Sequence, residues 1–226
     1  MIRTLRSVRR SAVKARTQAA NQLHALVVTA PEELRDQLRG LRLGRLVAAA
    51  AELGRVQRPT SLLEAARLAL RSVAVRYLQL SAEIAALQLQ LDRLVRQTAP
   101  ALLAVAGVGI DTAAALLIAA GDNPQRLGTE AAFAHLCGVA PIPASSGKTT
   151  RHRLHRGGNR DANRALWVIA LGRMRWDQRT RAYVARRTAE GKTKPEIIRC
   201  LKRFIARELY QLLTTAAPTN HRAAVA

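Results

Sequence analysis

Apolar positions repeat at helical spacing almost from the first residue of this chain. Leu5, Val8, Ala12, Ala15 and Ala19 recur at alternating three- and four-residue steps, the period of one helix face. Pro31 with Glu32 and Glu33 predicts the first turn of a second helix, where proline costs no hydrogen bond and acids meet the positive end of the dipole. That helix is expected to run through Leu34, Leu38 and Leu41 and to weaken near Gly54. Pro59-Thr60-Ser61 then opens the longest pattern. Leu63, Ala66, Leu70, Val73, Tyr77, Leu80, Ile84, Leu87, Leu91 and Leu94 keep strict three-four spacing, the seam of a left-handed coiled coil. Either the earlier helices of the same chain or a second copy could cover that seam. Residues 1–98 therefore read as a helical coiled-coil connector or dimerisation region, with a homo-oligomer expected through it.

From Pro100 the pattern changes to glycine turns and shorter helices, which sets a second domain over 99–215 and a disordered tail over 216–226. The last helix, from about Pro195 to Leu213, is amphipathic. Ile198, Leu201, Ile205, Leu209 and Leu212 are expected inside, with Arg199, Lys202, Arg203 and Arg207 free to face phosphate.

Composition sharpens the class. Hydrophobic residues make up 49 % and aromatics only 3 %, so the core must be built from Ala, Leu and Val. These favour helix over strand, and the expected class is all-α: long coiled-coil helices followed by a compact helical domain containing a helix-hairpin-helix. Charge changes the picture more. With 37 Lys+Arg against 15 Asp+Glu, the formal net charge is +22. The stretch from Lys148 to Arg207 carries more than half of it, its acids being Asp161, Asp177, Glu190 and Glu196. Such an excess favours a polyanion, and arginine suits bidentate phosphate contacts. Cys137 and Cys200 show no metal-ligand spacing and no disulfide framework, which reads as a reducing cytoplasm with cysteine as a small core residue. Thr98 to Gly121 is long enough to span a bilayer, but it is rich in Ala and Gly and broken by Gly107-Val108-Gly109. No membrane association is expected, and the basic stretch Arg3 to Arg16 reads as a helix rather than a targeting segment.

Three segments are candidates for chemistry. Leu102 to Leu117 reads as helix, Gly-Val-Gly turn, helix, the plan of a helix-hairpin-helix or of a plain packed hairpin. In the first case Gly107 and Gly109 let the backbone approach a phosphate, and Thr112 stands in the next helix's first turn, whose N–H groups would face it. Gly147-Lys148-Thr149 invites a P-loop reading, but that needs glycine where Ile142 stands, and two prolines precede it. The remaining feature is a polar loop with Ser145 and Ser146, followed by Lys148, Arg151, Arg153, Arg156, Arg160 and Arg164. A hydroxyl among guanidinium groups suits attack on a phosphodiester, because the arginines stabilise charge in the pentavalent transition state. It equally suits a phosphate-binding loop without chemistry. Asn159 or Asp161 is expected to cap the following helix. Trp167 and Trp176 read as core anchors, and His152 and His155 lack further ligands, so no zinc is expected.

The order of these motifs resembles the C-terminal domain of insertion-sequence family one-ten, with its relatives one-sixteen and nine-zero-two. The residues that carry the resemblance are the glycine hairpin, Gly138-Val139-Ala140-Pro141, Ser145-Ser146-Gly147, Arg160, Ala162 to Leu166 and the arginine-rich tail. The match covers roughly 99–213, and the preceding helices resemble that family's coiled-coil connector. The resemblance implies a bacterial transposase or recombinase acting on double-stranded DNA, guided by a structured non-coding RNA, in dimers that pair into tetramers. It implies a serine nucleophile that links transiently to DNA; by motif this falls on Ser146, with Ser145 second. Family members also begin with a ribonuclease-H-like domain whose Asp, Glu, Asp and Asp bind a divalent metal. Glu52, Glu64 and Glu83 form no such set. No cofactor is therefore expected in this chain, the metal belonging to the missing N-terminal domain, and full recombination is not expected from this chain alone. The alternatives are a non-enzymatic helix-hairpin-helix protein binding nucleic acid by charge, and a coiled-coil interaction protein.

Overall fold

A computed structural model describes residues 1–121, 127–146, 148 and 152–215; the tail 216–226 and Arg151 lie outside the described residues. The chain is all-α, and among the described residues its one sheet has two short strands. Two compact units divide it, Arg3–Gln90 and a second beginning at Leu91.

The first unit contains α1 (Ile2–Thr29), α2 (Glu32–Leu38), α3 (Leu43–Glu52) and most of α4 (Leu62–Thr98). Pro31 stands directly before α2, with Glu32 and Glu33 in its first turn, as the sequence predicts. The second predicted helix is split, however. Arg39 is extended at ψ 136°, and the chain turns through Gly40 before α3 begins. Leu38 and Leu46 both enter the core on either side of this turn. Ser61 begins α4, its Oγ accepting from the Glu64 N–H at 3.2 Å, while the Glu64 carboxylate accepts from the Thr60 N–H at 2.7 Å. That backbone hydrogen bond, with the Thr60 hydroxyl, holds the Glu64 carboxyl below its usual range. The carbonyls at the end of α3 are satisfied from across the unit, where the Arg71 guanidinium donates to Ala51 and Leu53.

All ten seam residues of α4 are buried or half-buried. Leu70, Val73 and Ala74 pack with Leu23 and Val27 of α1, Leu34 of α2 and Leu46 and Ala50 of α3. The chain's own helices cover this part of the seam.

The second unit holds α5 (Pro100–Leu103), α6 (Ile110–Ala120), α7 (Glu130–Leu136), α8 (Arg160–Trp176), α9 (Gln178–Ala189) and α10 (Lys194–Thr215). Strands β1 (Ile142–Pro143) and β2 (His152–Arg153) pair antiparallel, Ile142 opposite Arg153. Helix α8 is central, touching α6, α9 and α10. Ala113, Ala114 and Ala115 on α6 share a core with Ala162, Ala165, Ile169 and Ala170 of α8, and such small side chains let helices approach closely. Phe133, Leu166, Ile205 and Leu209 supply its bulk.

Two expectations are corrected here. Trp167 and Trp176 are not core anchors: they are 43 % and 76 % exposed, because the inward face of α8 is set by Ala162, Leu166, Ile169 and Ala170. On α10, Lys202 faces inward and is buried, and Arg203 and Arg207 are both paired with Glu130.

Leu70 is 1 % exposed and Leu89, on the same helix, 68 %. Leu70→Ala is expected to lose about 2–5 kcal/mol of unfolding free energy in urea, read by circular dichroism, and Leu89→Ala less than about 0.5 kcal/mol. Equal effects would contradict the packing of α4 against α1 to α3.

Candidate nucleic-acid interface

The local sequence builds a tight crossing between the end of α7 and the start of α8. Gly138 has φ +64° and Gly158 φ +93°, a region that side chains with a Cβ rarely enter. A Cβ on Gly138 would lie 2.6 Å from the Gly157 carbonyl oxygen, and one on Gly158 2.7 Å from the Gly138 nitrogen. Only two glycines permit so close an approach. Across it the Asn159 N–H donates to the Leu136 carbonyl at 2.6 Å, and Asn159 Oδ1 accepts from the Ala162 N–H at 3.0 Å, capping α8.

Asn163 holds the crossing together. Its Nδ2 donates to the carbonyls of Cys137 at 2.8 Å and Gly138 at 3.0 Å, both beyond the end of α7. Its Oδ1 accepts from Lys202 Nζ at 3.0 Å, which ties α10 to the same point. Lys202 is only 7 % exposed. Burial lowers its pKa from the ordinary 10.5, and the charge of Arg199 lowers it further. Neither residue stands out in the sequence as a structural centre: Asn163 lies inside a motif, and the helical pattern of α10 puts Lys202 among the residues facing phosphate.

The predicted site residues distribute around this crossing. Ser145 and Ser146 are exposed, on the arm that leaves the crossing through β1 and returns through β2, and Lys148 is exposed on the same arm. Arg156, Arg160 and Arg164 come together, lining one groove of about 520 Å³ with Asn163 and Trp167. All three arginines are exposed, and none forms an ion pair among the described residues. Arg153 lies instead in a second groove of about 740 Å³, between the β arm and α10. Leu154 and His155 line both grooves.

Gly107, Gly109 and Thr112 lie apart from both, at the turn between α5 and α6. Gly107 packs on α8, where a Cβ would meet the Ile169 carbonyl oxygen at 3.2 Å. Arg173 Nε donates to the Ala106 carbonyl at 2.8 Å while its guanidinium pairs with Glu208. The Gly109 N–H donates to Thr112 Oγ1 at 3.0 Å, and Asp111 adds a negative charge in the first turn of α6. The first helix of this hairpin has four residues.

Cys137 is fully buried, and burial pushes its thiol up to about 12, so it behaves as a core residue. Among the described residues no group of three or more His, Cys, Asp or Glu could hold a metal ion. No helix of the described residues is long and apolar enough to cross a membrane.

Residues 99–185 match the Transposase IS116/IS110/IS902 family, a span that includes the crossing, the serine arm and all of α8. Over 132 residues the chain is 37 % identical to the insertion element IS110 uncharacterized 43.6 kDa protein of Streptomyces coelicolor. The matched stretch covers 57 % of this chain and 32 % of that relative, so the chain spans about a third of its relative's length.

Asn163→Ala removes two donors and leaves a buried ammonium without its acceptor. It is expected to cost about 3 kcal/mol of stability in thermal or urea unfolding. A pH series gives a second reading. Lys202 loses its proton at lower pH in the folded chain than in the unfolded one, so the unfolded state binds more protons in that window. Stability relative to Lys202→Met therefore rises as pH climbs from the lowered pKa towards 10.5. A flat difference between the two chains would argue that Lys202 is solvated.

Proposed function

We propose that this chain, whose residues 99–185 match the Transposase IS116/IS110/IS902 family, binds double-stranded DNA and carries the strand-transfer serine of an insertion-sequence transposase. The observation that carries the reading is the groove of Arg156, Arg160 and Arg164 beside Trp167, next to the crossing from which the serine arm departs. Arg160 and Arg164 stand one turn apart on α8, a spacing that lets two guanidinium groups reach successive phosphates along one strand.

In this reading Ser146 Oγ attacks a DNA phosphorus. The new O–P bond forms as one ester bond to deoxyribose breaks, and the arginines stabilise the charge that gathers on the phosphoryl oxygens. Ser145 is the second candidate. Lys148 belongs to the same basic arm and Arg153 to its returning strand, and Arg151, outside the described residues, is a further candidate by sequence. Gly107, Gly109 and Thr112 are the helix-hairpin-helix part of the reading, a backbone contact that reads no sequence. A structured guide RNA and a homo-oligomer complete the reading.

The charge of the groove predicts its salt dependence. Arg160→Gln with Arg164→Gln is expected to weaken duplex binding and to flatten the slope of log affinity against log salt by about 0.9 for each phosphate no longer neutralised. An unchanged slope would remove the groove from the DNA interface. The chemistry is tested by trapping. The chain is incubated with labelled element-end duplex and divalent metal, with and without the remaining portion of the relative and a guide RNA. A denaturation-resistant protein–DNA adduct that disappears in Ser146→Ala supports the nucleophile. Duplex binding with no adduct under any of these conditions identifies a non-enzymatic nucleic-acid-binding domain instead.

A further inference from the structure

The larger groove lies between the β arm and α10. Arg153, Arg187, Lys192, Arg199, Lys202 and Arg203 line it, and Glu196 is the one acid among its lining residues. That carboxylate is already engaged, accepting from the Thr193 N–H at 2.8 Å and the Thr193 hydroxyl at 2.7 Å. Three lining residues also leave a buried nitrogen without a hydrogen-bond partner among the described residues: Arg187 Nε, Arg203 Nη1 and His155 Nδ1. Arg187 and Arg203 are each paired through another nitrogen, with Glu190 and Glu130, so these atoms are a residue of unmet polarity after the internal pairs have formed. The accessible guanidinium and ammonium groups of the lining favour a ligand rich in acceptors.

The same groove holds Phe204, 50 % exposed in a chain with only two phenylalanines. Its ring meets Tyr183 edge-on at 5.7 Å and 89°, leaving it fixed on the outer surface of α10. Tyr183 in turn lies under Arg186 and Arg187, at 5.5 and 5.9 Å. A wall with both guanidinium groups and a fixed aromatic face fits a ligand with both a phosphate and a flat apolar surface. A simple anion leaves Phe204 uncovered. A duplex presents phosphates but keeps its base faces inside the stack. An unpaired nucleotide presents both.

We infer that this groove binds an unpaired nucleotide of a single strand, its base stacked on Phe204 and its phosphate held by Arg199 and Arg153. The inference rests on the reading of nucleic acid as the partner, and deepens it. It assigns the strand a site separate from the Arg156–Arg160–Arg164 groove and reached across Leu154 and His155. Lys202, held by Asn163 Oδ1 at 3.0 Å, forms the buried floor beneath them.

Cys200 lines the groove and is half-buried, and the other cysteine, Cys137, is enclosed in the core, so alkylation reports on this one place. The test uses the full chain with an oligothymidylate of about 16 nucleotides, an RNA of the same length, a duplex of the same length, and inorganic phosphate. Either single strand is expected to slow Cys200 alkylation at least about tenfold, and the tighter of the two identifies the natural strand. Phe204→Ala is expected to weaken single-strand binding about tenfold or more while duplex affinity stays unchanged; Phe204→Trp should retain it. Arg199→Gln should flatten the single-strand salt slope by about 0.7. Arg160→Gln with Arg164→Gln should show the opposite selectivity.

Single-strand affinity unmoved by Phe204→Ala, or Cys200 left equally reactive, overturns the groove as the site while leaving the duplex reading standing. Protection by inorganic phosphate as complete as that by oligonucleotide overturns the stacked base. Failure of the unaltered chain to bind any nucleic acid overturns both readings together.

Discussion

The second unit depends on a single amide. Asn163 donates to two carbonyls that the end of α7 leaves open and accepts from a buried lysine of α10, so three helices meet at one side chain. Each partner would be costly alone: unpaired carbonyls in a helix terminus, and an ammonium with most of its surface removed from water. The amide satisfies both because it carries a donor and an acceptor on one planar group, which neither aspartate nor leucine offers. The close approach of Gly138 and Gly158 brings the segments near enough for this bond, and the bond holds them there. The serine arm and both grooves are anchored on that crossing, so their geometry follows from it.

Long-period features were legible in the sequence and long-range ones were not. The ten seam positions of α4 are all buried or half-buried, because a three-four repeat over many turns leaves little choice of buried face. The Ser61 start and the Pro31 start follow equally from local chemistry. The break at Arg39 and Gly40 escapes a reading by period alone, since the apolar pattern continues through Leu41, although Gly40 at φ +77° is itself a local helix stop. Trp167 and Trp176 depart from expectation because aromatic residues usually mark a core, whereas α8 already has a complete inward face of alanine, leucine and isoleucine. Asn163 and Lys202 are separated by 39 positions, and no periodicity connects a polar residue to a partner that distant.

Charge was legible in total and not in allocation. The basic excess of 148–207 points to a polyanion, but nothing in the sequence separates arginines that brace the fold from those left for a ligand. The structure separates them. Arg173 is tied to Glu208, Arg186 and Arg187 to Glu190, and Arg203 and Arg207 to Glu130. These pairs use the few acids available, and most are exposed enough to contribute only modestly to stability. Their larger effect is to concentrate unneutralised charge elsewhere, on Arg156, Arg160 and Arg164 and along the β arm.

This concentration gives the two grooves different chemistry. The smaller one has exposed arginines on a helix face with a tryptophan at its edge, and its charges can follow a phosphate backbone without needing a base to be released from its stack. The larger one is deeper in charge, holds a lysine fixed by an amide, and offers an aromatic face that a stacked helix cannot use. The strand transfer proposed for this domain would require it to hold duplex before the exchange and unpaired nucleotides during it. Two grooves on either side of Leu154 and His155, one suited to each form, would let one rigid crossing serve both without any rearrangement of α7, α8 or α10.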